Sequence, residues 1–189
     1  MLEIRIHGRG GQGNVVAAYL LASAAIGDGR HAQAFPAFGA ERRGAPVAAF
    51  VRISEAPIRR HCQVREPGFL IVQDPALMAV PGTLAGLRPG GGILAEGPEA
   101  GVTTRDGIEV ITLPATRLAL EHIGRPVPNT ALLAAFLELT QLMPLTALIQ
   151  ALEARFSGPV LEKNRALVET AAARVESGRW REVAHGAAA

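Results

Sequence analysis

Near its start the chain reads Ile4-Arg5-Ile6-His7-Gly8-Arg9-Gly10-Gly11-Gln12-Gly13-Asn14-Val15-Val16. Ile4 and Ile6 alternate with Arg5 and His7, which predicts a strand over Leu2–His7. An Ala-rich helical pattern follows over Gly13–Ile26, with Val16 and Leu20 on its buried stripe beside Tyr19 and Ala24. Between them Gly8, Gly10 and Gly13 fit G-x-G-x-x-G. Glycine admits positive φ and close backbone approach, and a helix start directed at the turn presents free N–H groups. A strand, a glycine turn and a helix in that order point to a dinucleotide-type α/β fold.

A dinucleotide site also needs an acid about 20 positions on, at the end of the second strand, to hold the ribose. Here that strand is Ala32–Phe35 and runs into Pro36-Ala37-Phe38-Gly39. Asp28 precedes it and Glu41 follows the proline turn, so the acid is missing. Arg42-Arg43 suits a 2′-phosphate but is displaced as well. The turn is therefore expected to pack the fold and to face a partner subunit or another phosphate ligand.

The remaining pattern alternates strands and helices to about residue 123. Strands are expected over Val47–Ile53, Phe69–Val72, Ile93–Ala95 and Ile108–Leu113. Pro57–Val64 reads as a polar connection and Leu77–Leu87 as a short helix broken by Pro81-Gly82. Asp74, at the end of an apolar run and before Pro75, fits a helix N-cap or a site residue at a strand's C-terminal end. Helices follow over Pro114–Ile123, Ala131–Leu142, Pro144–Phe156 and Pro159–Val175, with Asn129 or Thr130 capping the second. The tail from Ser177 is expected to fray. The fold class is α/β, a mainly parallel, doubly wound, Rossmann-like sheet with a helical C-terminal cap. A single domain over 1–189 is expected, its α/β core at about 1–123 and its helical part at about 129–176.

With 49% hydrophobic residues the 189-residue chain can bury a core, and a formal charge of +2 is too small to imply nucleic acid or a membrane surface. Lys163 is the only lysine among 19 basic residues. The single cysteine, Cys62, cannot form an internal disulfide or hold an iron–sulfur cluster or structural zinc. No signal peptide and no apolar run of 18 residues is evident, so a cytoplasmic location is expected. No nucleophile elbow, His-Glu-x-x-His pair, Walker lysine or acidic cluster is present. Gly27-Asp28-Gly29 resembles the start of a thiamine pyrophosphate motif, but paired asparagines do not follow near Ser54–His61. No catalytic residue and no metal ligand is expected on this chain, which argues against an enzyme acting alone.

Three stretches together carry a likeness: Gly8–Gly13 after a strand, Gln33-Ala34-Phe35-Pro36-Ala37-Phe38-Gly39, and Glu41-Arg42-Arg43-Gly44-Ala45-Pro46 before a strand. With Arg125-Pro126-Val127-Pro128-Asn129-Thr130 and Lys163-Asn164, the chain resembles the gamma subunit of the 2-oxoacid:acceptor oxidoreductases, the pyruvate:ferredoxin oxidoreductase group. The resemblance implies oxidative decarboxylation of a 2-oxoacid with coenzyme A, giving an acyl-CoA, carbon dioxide and a reduced acceptor. It implies thiamine pyrophosphate with Mg and [4Fe-4S] clusters on alpha, beta and delta subunits, and no cofactor held by this chain alone. The acceptor is ferredoxin, or NAD through a partner carrying FAD. Gly8, Gly10, Gly11, Gln12, Gly13, Arg42, Arg43 and Asn129 become the candidate residues on the coenzyme A side of the assembly. Two rivals remain: a stand-alone Rossmann-type nucleotide-binding oxidoreductase and a purely structural subunit.

Overall fold

The computed structural model describes residues 1–37 and 44–188. Strand β1, Leu2–Arg9, sits inside a seven-stranded sheet. After it come α1 (Asn14–Gly27), β2 (His31–Pro36), β3 (Pro46–Ser54), β4 (Phe69–Val72) and a 3-10 helix (Pro75–Ala79). Next are β5 (Gly92–Glu96), β6 (Gly101–Arg105) and β7 (Ile108–Leu113). The helices α2 (Ala115–Ile123), α3 (Asn129–Thr140), α4 (Leu145–Glu153), α5 (Gly158–Ala172) and α6 (Arg181–Ala188) complete the chain.

The strand order is β2-β3-β1-β4-β5-β7-β6. β1, β4, β5 and β7 are parallel neighbours, whereas β3 runs antiparallel between β1 and β2, and β6 antiparallel to β7. Most strands thus point one way, as expected of an α/β sheet. Strand alternation divides the core between two faces. Leu2, Ile4 and Ile6 of β1, with Phe69, Ile71, Leu94 and Ile111, pack against the α-helices. Leu70, Val72, Ile93, Ala95 and Val110 pack on the other face against Leu77 of the 3-10 helix.

Toward β1 and β3 that second face is polar. Arg52 Nε donates to Glu3 Oε1 at 2.8 Å, with Arg52 only 1% exposed, and Arg88 Nη2 reaches Glu3 Oε2 at 3.2 Å. Arg5 Nη2 donates to the carbonyls of Thr83 (3.0 Å) and Ala85 (2.6 Å), which fastens the 80–88 segment over the sheet.

α3 is buried along nearly its whole length, from Asn129 to Thr140 with Glu138 as the outward exception. An apolar helix of this kind belongs inside the helical layer. Its N-cap is Pro128, so Asn129 begins the helix rather than capping it, and Asn129 Oδ1 accepts from Thr130 N at 2.7 Å.

Besides the capping by Asn129, further expectations fail: Tyr19 stands on the outer side of α1, 46% exposed, rather than on its buried stripe, and the helix expected over Leu77–Leu87 is a 3-10 turn at Pro75–Ala79 followed by turns. β6 had no counterpart in the sequence reading, because all five of its residues are exposed and show no alternation. It is joined to β7 by Asp106-Gly107, whose φ values of 53° and 78° match the two-residue turn that suits a hairpin. The tail does not fray at Ser177: Trp180 is buried against Phe69, with ring centroids 5.2 Å apart, and Trp180 Nε1 donates to Glu109 at 2.6 Å. Arg179 also holds Glu109, at 2.9 Å, and α6 continues from there.

Candidate functional site

β1 and β4 end at the same edge of the sheet, where the glycine turn begins. Gly13 caps α1 in the left-handed region (φ 81°), and Gly11 at the exposed tip has φ 100°. These two conformations explain why glycine stands there. Gly8 lies beneath the turn: a Cβ on it would meet Asn14 Cγ and Gln12 Oε1 at 3.2 Å. Gln12 turns inward, and its Oε1 accepts from Arg9 N at 2.7 Å. Asn14 Nδ2 donates to Val47 O at 2.8 Å and ties the start of α1 to β3.

Gly10 N donates to Ala45 O at 3.0 Å, and Gly44 N donates to Gly10 O at 3.4 Å. The turn is therefore bonded to the chain that enters β3. Arg9 joins the same junction, with Nη1 donating to Gly44 O at 3.1 Å and Nε paired with the carboxylate of Asp74. Asp74 serves as N-cap of the 3-10 helix, accepting from Ala76 N at 2.9 Å, and also as the partner of Arg9. Of the two expectations for it, the helix cap is the one observed; its other partner is Arg9.

Asn129 is brought to the turn from the other end of the chain. Its Nδ2 donates to Gly13 O at 3.4 Å. Gly8, Gly10, Gly11, Gln12, Gly13 and Asn129 thus share one edge of the sheet. Arg42 and Arg43 lie outside the described residues.

Two polar residues of this edge were not singled out from sequence. Gln73 follows β4, is 1% exposed, and neither amide atom has a hydrogen-bond partner among the described residues. Its backbone N–H donates to His7 O at 2.8 Å. His7, at the end of β1, is held neutral: burial, with the nearby Arg5 charge, lowers its pKa to about 4. The signal for Gln73 was a polar residue closing an apolar run; His7 carried none beyond its alternation.

Beside Asn129 opens a cleft of about 220 Å³ between α1, α2, α3 and α5. Val16, Leu20, Phe156 and Val160 give it apolar walls, and Arg125, Asn129 and Asn164 reach it from the polar side. Asn164 is fixed by donating to Val160 O at 2.8 Å. The Arg125–Thr130 and Lys163-Asn164 stretches, far apart in sequence, therefore meet at one cleft adjoining the glycine turn.

The geometry does not suit a dinucleotide. β3 separates β2 from β1, so the strand that would carry the ribose acid is not beside the glycine turn, and β2 holds no acid. Among the described residues no three His, Cys, Asp or Glu side chains cluster to hold a metal ion. No described helix is long and apolar enough to cross a membrane.

Comparison with known proteins gives a consistent result. Residues 3–174 match the family model described as pyruvate ferredoxin/flavodoxin oxidoreductase. A pyruvate synthase subunit PorC of Methanothermobacter marburgensis is 47% identical over 164 residues, 87% of this chain and 92% of the relative. The pyruvate/ketoisovalerate oxidoreductases common subunit gamma of Thermococcus kodakarensis is 43% identical over 176 residues, covering 90% and 95%. The crystal structure of pyruvate oxidoreductase subunit PORC from Thermotoga maritima superposes with a TM-score of 0.77 at 33% identity, covering 91% of this chain and 95% of that one.

Proposed function

This chain belongs to the pyruvate ferredoxin/flavodoxin oxidoreductase family as its gamma subunit, and on that premise we propose that it works inside a multi-subunit enzyme that oxidises a 2-oxoacid. The reaction takes a 2-oxoacid and coenzyme A to an acyl-CoA and carbon dioxide, with two electrons passed to an acceptor. Relatives named for pyruvate, and for pyruvate with ketoisovalerate, make pyruvate the first substrate to test. Ferredoxin is the proposed acceptor, with NAD through a flavin subunit as the variant route. The thiamine pyrophosphate with Mg and the [4Fe-4S] clusters belong to alpha, beta and delta partners: this chain has one cysteine, and a cluster needs several.

Its own contribution lies at the glycine-turn edge, toward coenzyme A and the subunits around it. The observation that carries this reading is the convergence of the turn, Asn129 and the 44–45 segment on one edge. The paired bonds between Gly10 and residues 44–45 hold the chain entering β3 to the turn, and Arg42 and Arg43 come directly before that segment in the sequence. Arginine suits the role because its planar fork binds phosphate or carboxylate by two hydrogen bonds. The part proposed for this edge is to bind and orient.

A purely structural reading is favoured by a different observation. Gln12 Oε1 accepts from Arg9 N, Gly10 O from Gly44 N and Gly13 O from Ala17 N, so these polar atoms hold the turn itself together. One experiment separates the two. The complex is reconstituted with this chain carrying Arg42→Ala and Arg43→Ala, and assembly and coenzyme A kinetics are both measured. The binding role predicts a KM for coenzyme A raised on the order of tenfold, since a charged hydrogen bond contributes about 1.5–3 kcal/mol. Weakened assembly at unchanged KM supports the structural reading, and no change in either removes the edge from both.

A further inference from the structure

β1 and β4 are parallel neighbours that send the chain to opposite faces of the sheet. After β1 it crosses by α1 on the helical face toward β2; after β4 it crosses by the 3-10 helix on the other face toward β5. A topological switch point therefore lies outside their carboxyl ends, between Gly8–Gly13 and Gln73-Asp74. In open α/β sheets that crevice is where ligands bind. One of its walls is the start of α1, which no side chain caps. The first bond of the helix runs from Ala17 N to Gly13 O at 2.8 Å, so the N–H groups of Asn14, Val15 and Val16 have no partner among the described residues.

Gln73 is the second, independent sign. Its N–H donates to His7 O at 2.8 Å, which continues the β1–β4 ladder by one step and sets Gln73 beside Gly8. Strand alternation puts its side chain on the helical face with Phe69 and Ile71. A Cβ on Gly8 would meet Asn14 and Gln12 on that same face, so the Gln73 amide lies beneath the start of α1. It is 1% exposed, and neither amide atom has a partner among the described residues. Buried amides are almost always hydrogen-bonded; a bare one at a switch point is accounted for by a group that a ligand brings. Arg9 supplies the charge. Nε pairs with Asp74 and Nη1 donates to Gly44 O at 3.1 Å, which fixes the guanidinium while Nη2 has no partner among the described residues. The acids nearby are engaged: Asp74 by Arg9 and Ala76 N, and Glu96, at the end of β5, by Thr116 N at 2.9 Å.

We propose that the crevice between Gly8–Gly13 and Gln73-Asp74 is a phosphate subsite, with the start of α1 as its cradle, Gln73 at its floor and Arg9 as its cation, positioned by Asp74. A free helix start favours negative charge, and a guanidinium held on one edge keeps the rest of its planar fork for an oxyanion. Phosphate carries several acceptor oxygens on one centre and so suits all three groups. The inference rests on the coenzyme A reading above and deepens it, by naming Arg9 and Gln73 as binding residues. Coenzyme A offers two such groups, its pyrophosphate and its 3′-phosphate.

The test uses the complex with the alpha, beta and delta subunits, carrying this chain as parent, Arg9→Gln or Gln73→Met. KM is measured for coenzyme A, dephospho-coenzyme A and pyruvate, with kcat, and Tm is measured on the full chain. Arg9→Gln should raise the KM for coenzyme A on the order of tenfold, with kcat and the KM for pyruvate unchanged. Gln73→Met keeps the shape and removes the polar atoms. It should raise the same KM several-fold while Tm holds or rises, because an unpartnered buried amide is gone. A merely structural Gln73 would leave KM unmoved. A rise for coenzyme A alone assigns the 3′-phosphate to the crevice, and a rise for dephospho-coenzyme A as well assigns the pyrophosphate. If Arg9→Gln fails to assemble, Gln73→Met decides alone. Parental KM values in a folded Gln73→Met complex overturn the subsite and leave the coenzyme A reading intact. A parental complex whose 2-oxoacid oxidation does not respond to coenzyme A overturns that reading and the subsite with it.

Discussion

The side-chain amide of Asn129 donates to the carbonyl of Gly13 across 3.4 Å, and a Cβ at Gly13 would stand 2.7 Å from that same nitrogen. The start of α3 and the start of α1 are thus held at a spacing that only glycine permits. The φ of 81° adds a conformational requirement to the steric one. Gly11 has positive φ as well, but open space around its missing Cβ.

These two glycines give a comparison. Gly11→Ala should cost about 1 kcal/mol from the backbone alone, and Gly13→Ala about 2–4 kcal/mol, because crowding adds to strain. Urea unfolding of both variants checks it. Equal losses would mean that the approach of Asn129 does not constrain the turn.

Trp180 is the chain's single tryptophan, so its fluorescence reports on the C-terminal segment directly. It packs on Phe69 and stands where a Cβ on Gly92 would lie 2.6 Å away. Trp180→Ala should destabilise by about 3–5 kcal/mol. Gly92→Ala should displace the ring, shifting its emission to the red in the folded protein. An unchanged spectrum would contradict the packing.

The buried pair Glu3–Arg52 should behave asymmetrically. Arg52→Met alone leaves Glu3 with only the half-exposed Arg88 and should cost about 3–5 kcal/mol, whereas Glu3→Leu with Arg52→Met should cost much less. A double-mutant cycle in denaturant measures the difference. Additive losses would show that the two charges do not depend on each other.

His7 makes stability depend on pH in a stated window. Its folded pKa of about 4 lies below the ordinary 6.5, because burial disfavours the charged form. Between these values the unfolded chain takes up a proton that the folded chain refuses. Stability is therefore intact above pH 6.5 and falls as pH drops toward 4, by about 2–3 kcal/mol at most. Glu109, held below its usual range first by the Arg179 hydrogen bond, adds a loss only at lower pH. Glu96 has the opposite sign, since burial raises its carboxyl pKa and its contribution is largest at acid pH. Comparing unfolding of the parent and His7→Gln between pH 7 and 4.5 isolates the first effect; parallel curves would refute it.

Much of the α/β frame was legible because its signals are local. Ile4 and Ile6 alternating with Arg5 and His7, and the compact run Phe69–Val72, need no distant partner to be recognised. β3 was recognised as a strand, but its place between β1 and β2 was not, because pairing order is a long-range property. β6 is wholly exposed and gives no alternation, although Asp106-Gly107 before Ile108 is a hairpin signal that stood in the sequence. Trp180 looked like part of a fraying, Ala-rich tail, since its partners Phe69, Gly92 and Glu109 are distant in the chain. The glycine turn was legible as a turn. Its links to Asn129 and to 44–45, and the cleft joining Arg125 to Asn164, arise only when the helices close over the sheet.

The most direct measurement is native mass spectrometry of this chain tagged in its own host and purified gently, with cofactor analysis and a 2-oxoacid activity screen on the same sample. A hetero-oligomer is expected in which this chain accompanies partners bearing thiamine pyrophosphate and iron–sulfur clusters, with coenzyme A-dependent oxidation of pyruvate or another 2-oxoacid. A lone monomer or homo-oligomer, holding NAD(P) or nothing, would contradict it.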